Sequence, residues 1–268
     1  MSCLPDSIQR VLVTGGAGFI GGAVVRRLLR CSGVEVFNLD KLGYASDLSS
    51  IQAEVEQLGG MAAGRHHVLQ VDLVDQQATA EAVRRADPDL VLHLAAESHV
   101  DRSINAPGAF LDSNIIGTFS LLQACRGHWD ALSAVRREVF RFQHISTDEV
   151  FGSLGASGYF SEATPYDPRS PYSASKAASD HLVKAWHHTF GLPVVTTNCS
   201  NNYGPWQFPE KLIPVVILSA LALKPIPLYG DGLNVRDWLY VEDHVDALLL
   251  VAGQGKTGAS YCVGGGEG

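Results

Sequence analysis

Two acids stand side by side in HISTDEVFG (144–152), where Asp148 and Glu149 follow Ser146 and Thr147 at the end of a run that reads as a buried strand. Adjacent carboxylates push their pKa values apart, so one can keep a proton while the other acts as a base. The plainer alternative is a helix cap followed by a solvated charge. A second pair lies downstream in SPYSASKAASD, where Tyr172 and Lys176 are spaced i, i+4 and share one helix face. An ammonium beside a phenol lowers the phenol pKa, which lets a tyrosine accept the proton of an alcohol. By itself Tyr-x-x-x-Lys also describes an exposed helix face; its place after a nucleotide-binding turn is what gives it weight.

That turn is TGGAGFIGG, in which Gly15, Gly18 and Gly21 form G-x-x-G-x-x-G between a strand and a helix. Glycines there permit a tight turn and bring backbone close to a pyrophosphate at the helix N-terminus. The spacing differs by one residue from G-x-G-x-x-G. Asp40 ends the next strand, where an acid can hydrogen-bond a ribose 2′-hydroxyl and repel a 2′-phosphate. NAD is therefore expected over NADP, although Lys41 next door works against that preference. Asp72 ends the third strand and is either an adenine neighbour or a helix cap.

The elements that position these residues alternate along the chain. Strands are predicted at 11–15, 34–40, 66–72, 90–96, 140–146 and 193–198, with helices at 19–31, 76–86, 108–126 and 172–190. Alternation of this kind predicts an α/β, doubly wound parallel Rossmann-type sheet. Residues 1–198 are expected to form the NAD-binding domain. Residues 199–268 change texture: a loop rich in proline, a helix at 213–223, short strands around IPLYG and RDWLY, a helix at 241–252, and SYCVG. They are expected to form a smaller substrate lobe, one that looks truncated where the chain stops in GGGEG.

Composition narrows the function. Of 268 residues, 46% are hydrophobic and 18% charged, and the net charge is -8. That balance carries no basic stripe for nucleic acid. No apolar run approaches the length of a membrane span, and residues 1–9 do not resemble a signal peptide. The five cysteines, Cys3, Cys31, Cys125, Cys199 and Cys262, are scattered and odd in number, so neither a disulfide framework nor structural zinc is expected. The ten histidines lack metal-ligand spacing. A cytoplasmic protein without a metal is the expectation.

Taken together, TGGAGFIGG, LAAESHVDRS and Tyr-x-x-x-Lys resemble the extended short-chain dehydrogenase/reductases. HISTDEVFG, SPYSASKAASDHLV, TNCSNNYGP, FPEKLIP and RDWLYVEDH resemble one family within them, the dTDP-glucose 4,6-dehydratases, over residues 10–265 or so. The resemblance implies three stages on a nucleotide-diphosphate hexose: oxidation at C4, loss of water across C5 and C6, and hydride return to C6, as in deoxysugar biosynthesis. It assigns Tyr172 as the base for oxidation, Glu149 as the base at C5, Asp148 as the acid for the C6 hydroxyl, and Thr147 as a partner of the C4 oxygen.

For NAD the resemblance implies Gly15, Gly18, Phe19, Ile20, Gly21, Asp40, Lys41, Leu42, Asp72, Leu73, Leu94, Ala95, Ala96, Ser113, Tyr172, Lys176 and Asn202. For the nucleotide sugar it implies Ser98, Thr147, Asn201, Lys211, Leu212, Pro227, Tyr229 and Arg236. Arg236 is the natural diphosphate partner, or else a surface arginine. The resemblance also implies a homodimer paired through the 108–126 and 172–190 helices. The chain departs from the family at Cys262, where an asparagine is usual, in its short 153–170 loop, and in stopping before the family does, so activity of the chain as given is an open expectation. A nucleotide-sugar 4-epimerase of the same superfamily is the alternative enzyme, and a non-catalytic NAD-binding fragment the alternative of another kind.

Overall fold

In a computed structural model, residues 3–31, 33–154, 158–226, 228 and 232–266 are described. Seven strands form one sheet: β1 (Arg10–Thr14), β2 (Glu35–Asp40), β3 (His66–Gln70), β4 (Leu90–His93), β5 (Arg141–Thr147), β6 (Val194–Cys199) and β9 (Ser260–Val263). Their order across the sheet is β3-β2-β1-β4-β5-β6-β9. Every neighbouring pair runs parallel. The inner strands β2, β1, β4, β5 and β6 are buried on both faces, as a sheet covered by helices requires, while the edge strands β3 and β9 are only partly buried. Along β1 the side chains alternate: Val11 and Val13 enter one core with the Phe19–Cys31 and Val241–Gln254 helices, while Leu12 enters the other with the Gln76–Ala86, Gly117–Ala131 and Pro171–Phe190 helices. The chain turns one way from β1 to β2 and the other way to β4. The carboxyl ends of β1, β4 and β5 therefore flank a crevice at that switch point.

Three expectations are corrected. First, SYCVG does not sit in a separate lobe. It is β9, the seventh strand, paired to β6 from Thr196↔Ser260 to Cys199↔Val263. The Val241–Gln254 helix packs on the same core as the Phe19–Cys31 helix. The main layers thus continue past the boundary expected at residue 198. What stands outside them is roughly 200–240, with a two-stranded parallel sheet of β7 (Asn201–Tyr203) and β8 (Trp238–Tyr240) and a helix at Leu212–Leu221. The IPLYG segment falls largely outside the described residues.

Second, the 108–126 helix is continuous but not regular. It runs from Pro107 to Ala131, with right-handed helical backbone at each junction, and carries a π-helical stretch at Leu111–Ile116 between α-helical Pro107–Phe110 and Gly117–Ala131. π turns inside helices are rare and recur at functional sites. Third, Cys3 and Cys31 form a disulfide, with Cα atoms 5.7 Å apart. Their separation of 28 residues left no motif to read, and the fold brings the N-terminal segment to the end of the first helix. Cysteine usage accordingly lends no support to a reducing compartment.

Candidate active site

The glycine turn is built by backbone contacts. Gly15 has a φ of +71° and donates its N–H to Leu39 O at 2.8 Å. A Cβ on Gly15 would lie 2.7 Å from Ala95 Cα, and one on Gly21 would lie 2.1 Å from Gly15 O. At Gly18 the nearest atom would be Gly15 O at 3.2 Å. The first and last of these glycines therefore serve the close packing of turn, helix and β4, while Gly18 leaves room at the helix N-terminus.

The turn opens into a cleft of about 620 Å³. All the described candidate residues line it except Leu42 and Asp148; Pro227 and Tyr229 lie outside the described residues. Leu42 contributes through its backbone, donating its N–H to Asp40 Oδ1 at 2.8 Å. Asp40 is buried and also accepts from Ala17 N at 3.0 Å and from Ser46 Oγ at 2.9 Å. A carboxylate has about four acceptor sites, so this arrangement leaves capacity for one more donor. Lys41 is paired to Glu97 at 2.7 Å and is not a free cation for a 2′-phosphate. Asp72 lines the cleft and accepts from Val74 N at 3.1 Å in the turn after β3, whereas the cap of the Gln76–Ala86 helix is Asp75, which accepts from Ala78 N. Ser113 reaches the cleft from the π-helix.

The reacting end is set by β5 and the Pro171–Phe190 helix. That helix starts sharply, with Pro171 in its first turn and a capping box in which Ser170 and Ser173 each bond the other's backbone. Its first turn and a half is thereby aimed at the end of β5, and Tyr172 and Lys176 are buried there. Lys176 Nζ donates to Ile145 O at 2.9 Å. The expected effect of Lys176 on Tyr172 is not what the site shows. Burial first, and then the charge of Glu149, push the Tyr172 phenol well above its ordinary value, with a hydrogen bond from Thr147 opposing. Lys176 is itself lowered by burial, opposed by Asp180.

Both acids are raised. Burial is the main cause for each; the charge of Asp237 adds to it at Asp148, and the charge of Asp148 adds to it at Glu149. The opposing influences differ. Arg236 and Lys211 pull Glu149 back toward the ionised form, whereas Asp148 faces only hydrogen bonds, led by Thr147. Thr147 Oγ1 contacts Asp148 Oδ1 at 3.2 Å and accepts from Glu149 N at 3.2 Å, which sets Asp148 back from the cleft surface and caps the 148–151 turn.

Two functional supports were not read from the sequence. Asn114, buried in the π-helix, accepts from Glu97 N at 2.8 Å and donates to Glu97 O at 3.0 Å and to Ser175 Oγ at 2.9 Å. It ties the 94–99 loop to the Pro171–Phe190 helix, and no local pattern announces it. Asp180 is fully buried and bonds His144 Nε2, Ser146 Oγ and Tyr166 Oη, each at 2.9 Å. Burial would raise its carboxyl, but the His144 hydrogen bond and neighbouring charges prevail and hold it lowered. Its spacing of i+4 from Lys176 was the legible signal.

A parallel doubly wound sheet, a glycine turn at its switch point and a buried Tyr-x-x-x-Lys beside the next strand end define a protein of the extended short-chain dehydrogenase/reductase class. Comparison with known proteins narrows this. Residues 12–268 match the family described as GDP-mannose 4,6 dehydratase. The chain is 56% identical over 254 residues to the dTDP-glucose 4,6-dehydratase of Xanthomonas campestris pv. campestris (strain B100), covering 95% of this chain and 70% of that one. It is 52% identical to dTDP-glucose 4,6-dehydratase 1 of Escherichia coli (strain K12), covering 96% and 72%.

Among solved structures, the dTDP-glucose 4,6-dehydratase DesIV of Streptomyces venezuelae, determined with NAD bound, superposes with a TM-score of 0.87 at 43% identity, covering 97% of this chain and 76% of that one. The UDP-glucose 4-epimerase of Thermus thermophilus gives 0.80 at 33% identity, covering 97% and 78%. The chain belongs to the GDP-mannose 4,6 dehydratase family and groups within it with the dTDP-glucose 4,6-dehydratases.

Proposed function

We propose that this chain binds NAD and dehydrates dTDP-glucose to dTDP-4-keto-6-deoxyglucose, a hydro-lyase step in deoxysugar biosynthesis. The observation that carries the reading is the meeting of Thr147 and Glu149 at the end of β5 with Tyr172 and Lys176 in the cleft that opens from the glycine turn, with Asp148 held directly behind that surface by Thr147. NAD, held by the glycine turn, Asp40 and the Tyr172–Lys176 end of the cleft, would supply a positive charge and a group able to take up and give back a hydride. The protein's own residues handle the protons. Tyr172 would accept the proton of the C4 hydroxyl as a phenolate, a form that a bound cofactor's positive charge and the Thr147 hydrogen bond would favour against burial and Glu149, and Thr147 Oγ1 would hold the C4 oxygen. A ketone at C4 makes the C5 proton acidic, and Glu149 removes it. Asp148 gives its proton to the C6 hydroxyl, which leaves as water.

The division of labour follows from the charges: Arg236 and Lys211 favour ionised Glu149, and Asp237 favours protonated Asp148. Lys211, Arg236, Ser98 and Asn201 hold the nucleotide sugar in this reading, with Asn202 and Ser113 toward the cofactor. The reading extends to a homodimer in the cytoplasm, paired through the 108–126 and 172–190 segments; the exposed Leu111 and Ile116 support it.

The test follows NAD-loaded protein after dTDP-glucose is added. Wild type should yield a product one water lighter by mass spectrometry. Asp148→Asn should slow elimination by about 10²–10⁴, the usual contribution of general acid–base catalysis, and should accumulate reduced-nicotinamide absorbance. Tyr172→Phe should form little of it. Normal turnover by Asp148→Asn with no such build-up would remove Asp148 from the acid role.

A further inference from the structure

On the rim of the cleft, three segments distant in sequence converge on one carboxylate. Glu210 accepts from Tyr44 Oη at 3.3 Å and from Arg102 Nη2 at 3.4 Å, and stands 4.0 Å from His99 Nε2. The Arg102 guanidinium also lies over the Tyr44 ring, 3.7 Å from its centroid, and Phe208 meets that ring edge-on at 6.0 Å. Tyr44 belongs to the loop that leaves β2 just after Asp40. Glu210 precedes Lys211, whose Nζ donates to Ser98 O at 3.3 Å. The segment that carries candidate sugar-binding residues is thus fastened to the loop that follows the candidate ribose carboxylate.

None of the three side chains belongs to the hydrophobic cores: Tyr44 is 48% exposed and the Arg102 side chain 50%. An isolated surface ion pair contributes little. Here an ion pair, a hydrogen bond and a cation–π stack share one carboxylate, one guanidinium and one ring, a network in which each contact holds its neighbours' geometry.

We propose that Glu210 is a positioning residue that straps the 207–211 segment to the 40–47 loop, so that a nucleotide in the sugar site slows release of the dinucleotide. The inference rests on the dehydratase reading above and deepens it. The hydride taken from C4 must return to the same molecule at C6, so the reduced cofactor has to stay in place between the two transfers. Segments that close together over both ligands provide that retention. Because coupling between two binding sites is reciprocal, the dinucleotide tightens the nucleotide by the same factor.

The experiment measures release of NADH from the full chain by fluorescence, on chasing with excess NAD, with and without thymidine diphosphate as an unreactive occupant of the sugar site. In wild type the diphosphate should slow release. In Glu210→Gln and Arg102→Met it should slow release far less, with NADH leaving about fivefold to tenfold faster than from wild type when the diphosphate is present. Added salt should bring wild type toward the variants. Melting temperatures separate this role from a merely structural one, which would lower the melting temperature and leave the diphosphate dependence intact. Wild type that fails to hold NADH would overturn the dehydratase reading and the strap together. Wild type that holds it, with variants matching wild type at every diphosphate concentration, would overturn the strap alone.

Discussion

The two walls of the cleft are held in different ways. On the β1–β4–β5 side, Val11, Leu12, Val13, Leu92 and Phe142 are wholly buried, and the glycine turn is locked to β4 by contacts that would exclude even a methyl group. On the 200–240 side, the Leu212–Leu221 helix buries none of its residues, and Ile217, Leu218, Leu221, Leu223, Leu233 and Val235 are all exposed. That wall is placed by the β7–β8 pairing and by polar ties across the rim, Lys211 to Ser98 and Glu210 to Tyr44 and Arg102. The first wall should therefore resist changes of charge in solution and fail on changes of volume, and the second should do the reverse.

The largest expected effect is on the packed wall. Phe142 is 0% exposed near the start of β5, and Phe142→Ala should cost about 3–5 kcal/mol of stability in urea unfolding. A cost below about 1 kcal/mol would mean that the sheet side adapts to lost volume, and the contrast between the walls would weaken.

A middle-sized effect lies where the walls meet. The Asp148 carboxyl is raised above its ordinary 3.8, chiefly by burial. A raised carboxyl binds its proton more readily in the folded chain, so its contribution is most favourable below the unfolded value and is lost as pH rises through the folded value. An amide at this position does not titrate; Asp148→Asn should then match wild type near about pH 3 and be the more stable near about pH 7. The gain should appear as a higher melting temperature of the variant at neutral pH that vanishes toward acid pH. A variant less stable at neutral pH would show that the carboxylate caps the 148–151 turn more than it suffers from burial.

The smallest effect sharpens the contrast from the other side. Leu221 is 78% exposed, and Leu221→Gln should change stability by no more than about 0.5 kcal/mol in the same urea experiment. A loss of about 2 kcal/mol, on the scale of a buried leucine, would show that this helix face is covered in solution.

Much of the fold is legible in the sequence. The helices at 19–31 and 76–86 fall where their periodicity places them, since amphipathic spacing and capping are local properties. The exceptions have physical causes. The π-helical stretch at Leu111–Ile116 holds Asn114 inward on Glu97 and Ser175, partners that no short window of sequence contains. The strand at 260–263 is visible as an apolar run, but its membership in the main sheet depends on pairing with β6 across a long stretch of chain. Tyr172 and Lys176 do lie on one buried helix face, yet the lysine directs its ammonium to Ile145 O and the phenol is raised rather than lowered.

Residue order alone supplied the glycine turn, Asp40 at a strand end, the adjacent acids and the Tyr-x-x-x-Lys pair, because each rests on spacing within a single turn, strand end or helix face. Tertiary structure alone decided which of those groups hold protons, how the two walls are tied and where the seventh strand goes. A pKa depends on burial and on charges such as Asp237, Arg236 and Lys211 that reach the acids from another part of the chain. A rim strap depends on bringing Tyr44, Arg102 and Glu210 to one point. Distances of that kind exist only once the chain has closed on itself.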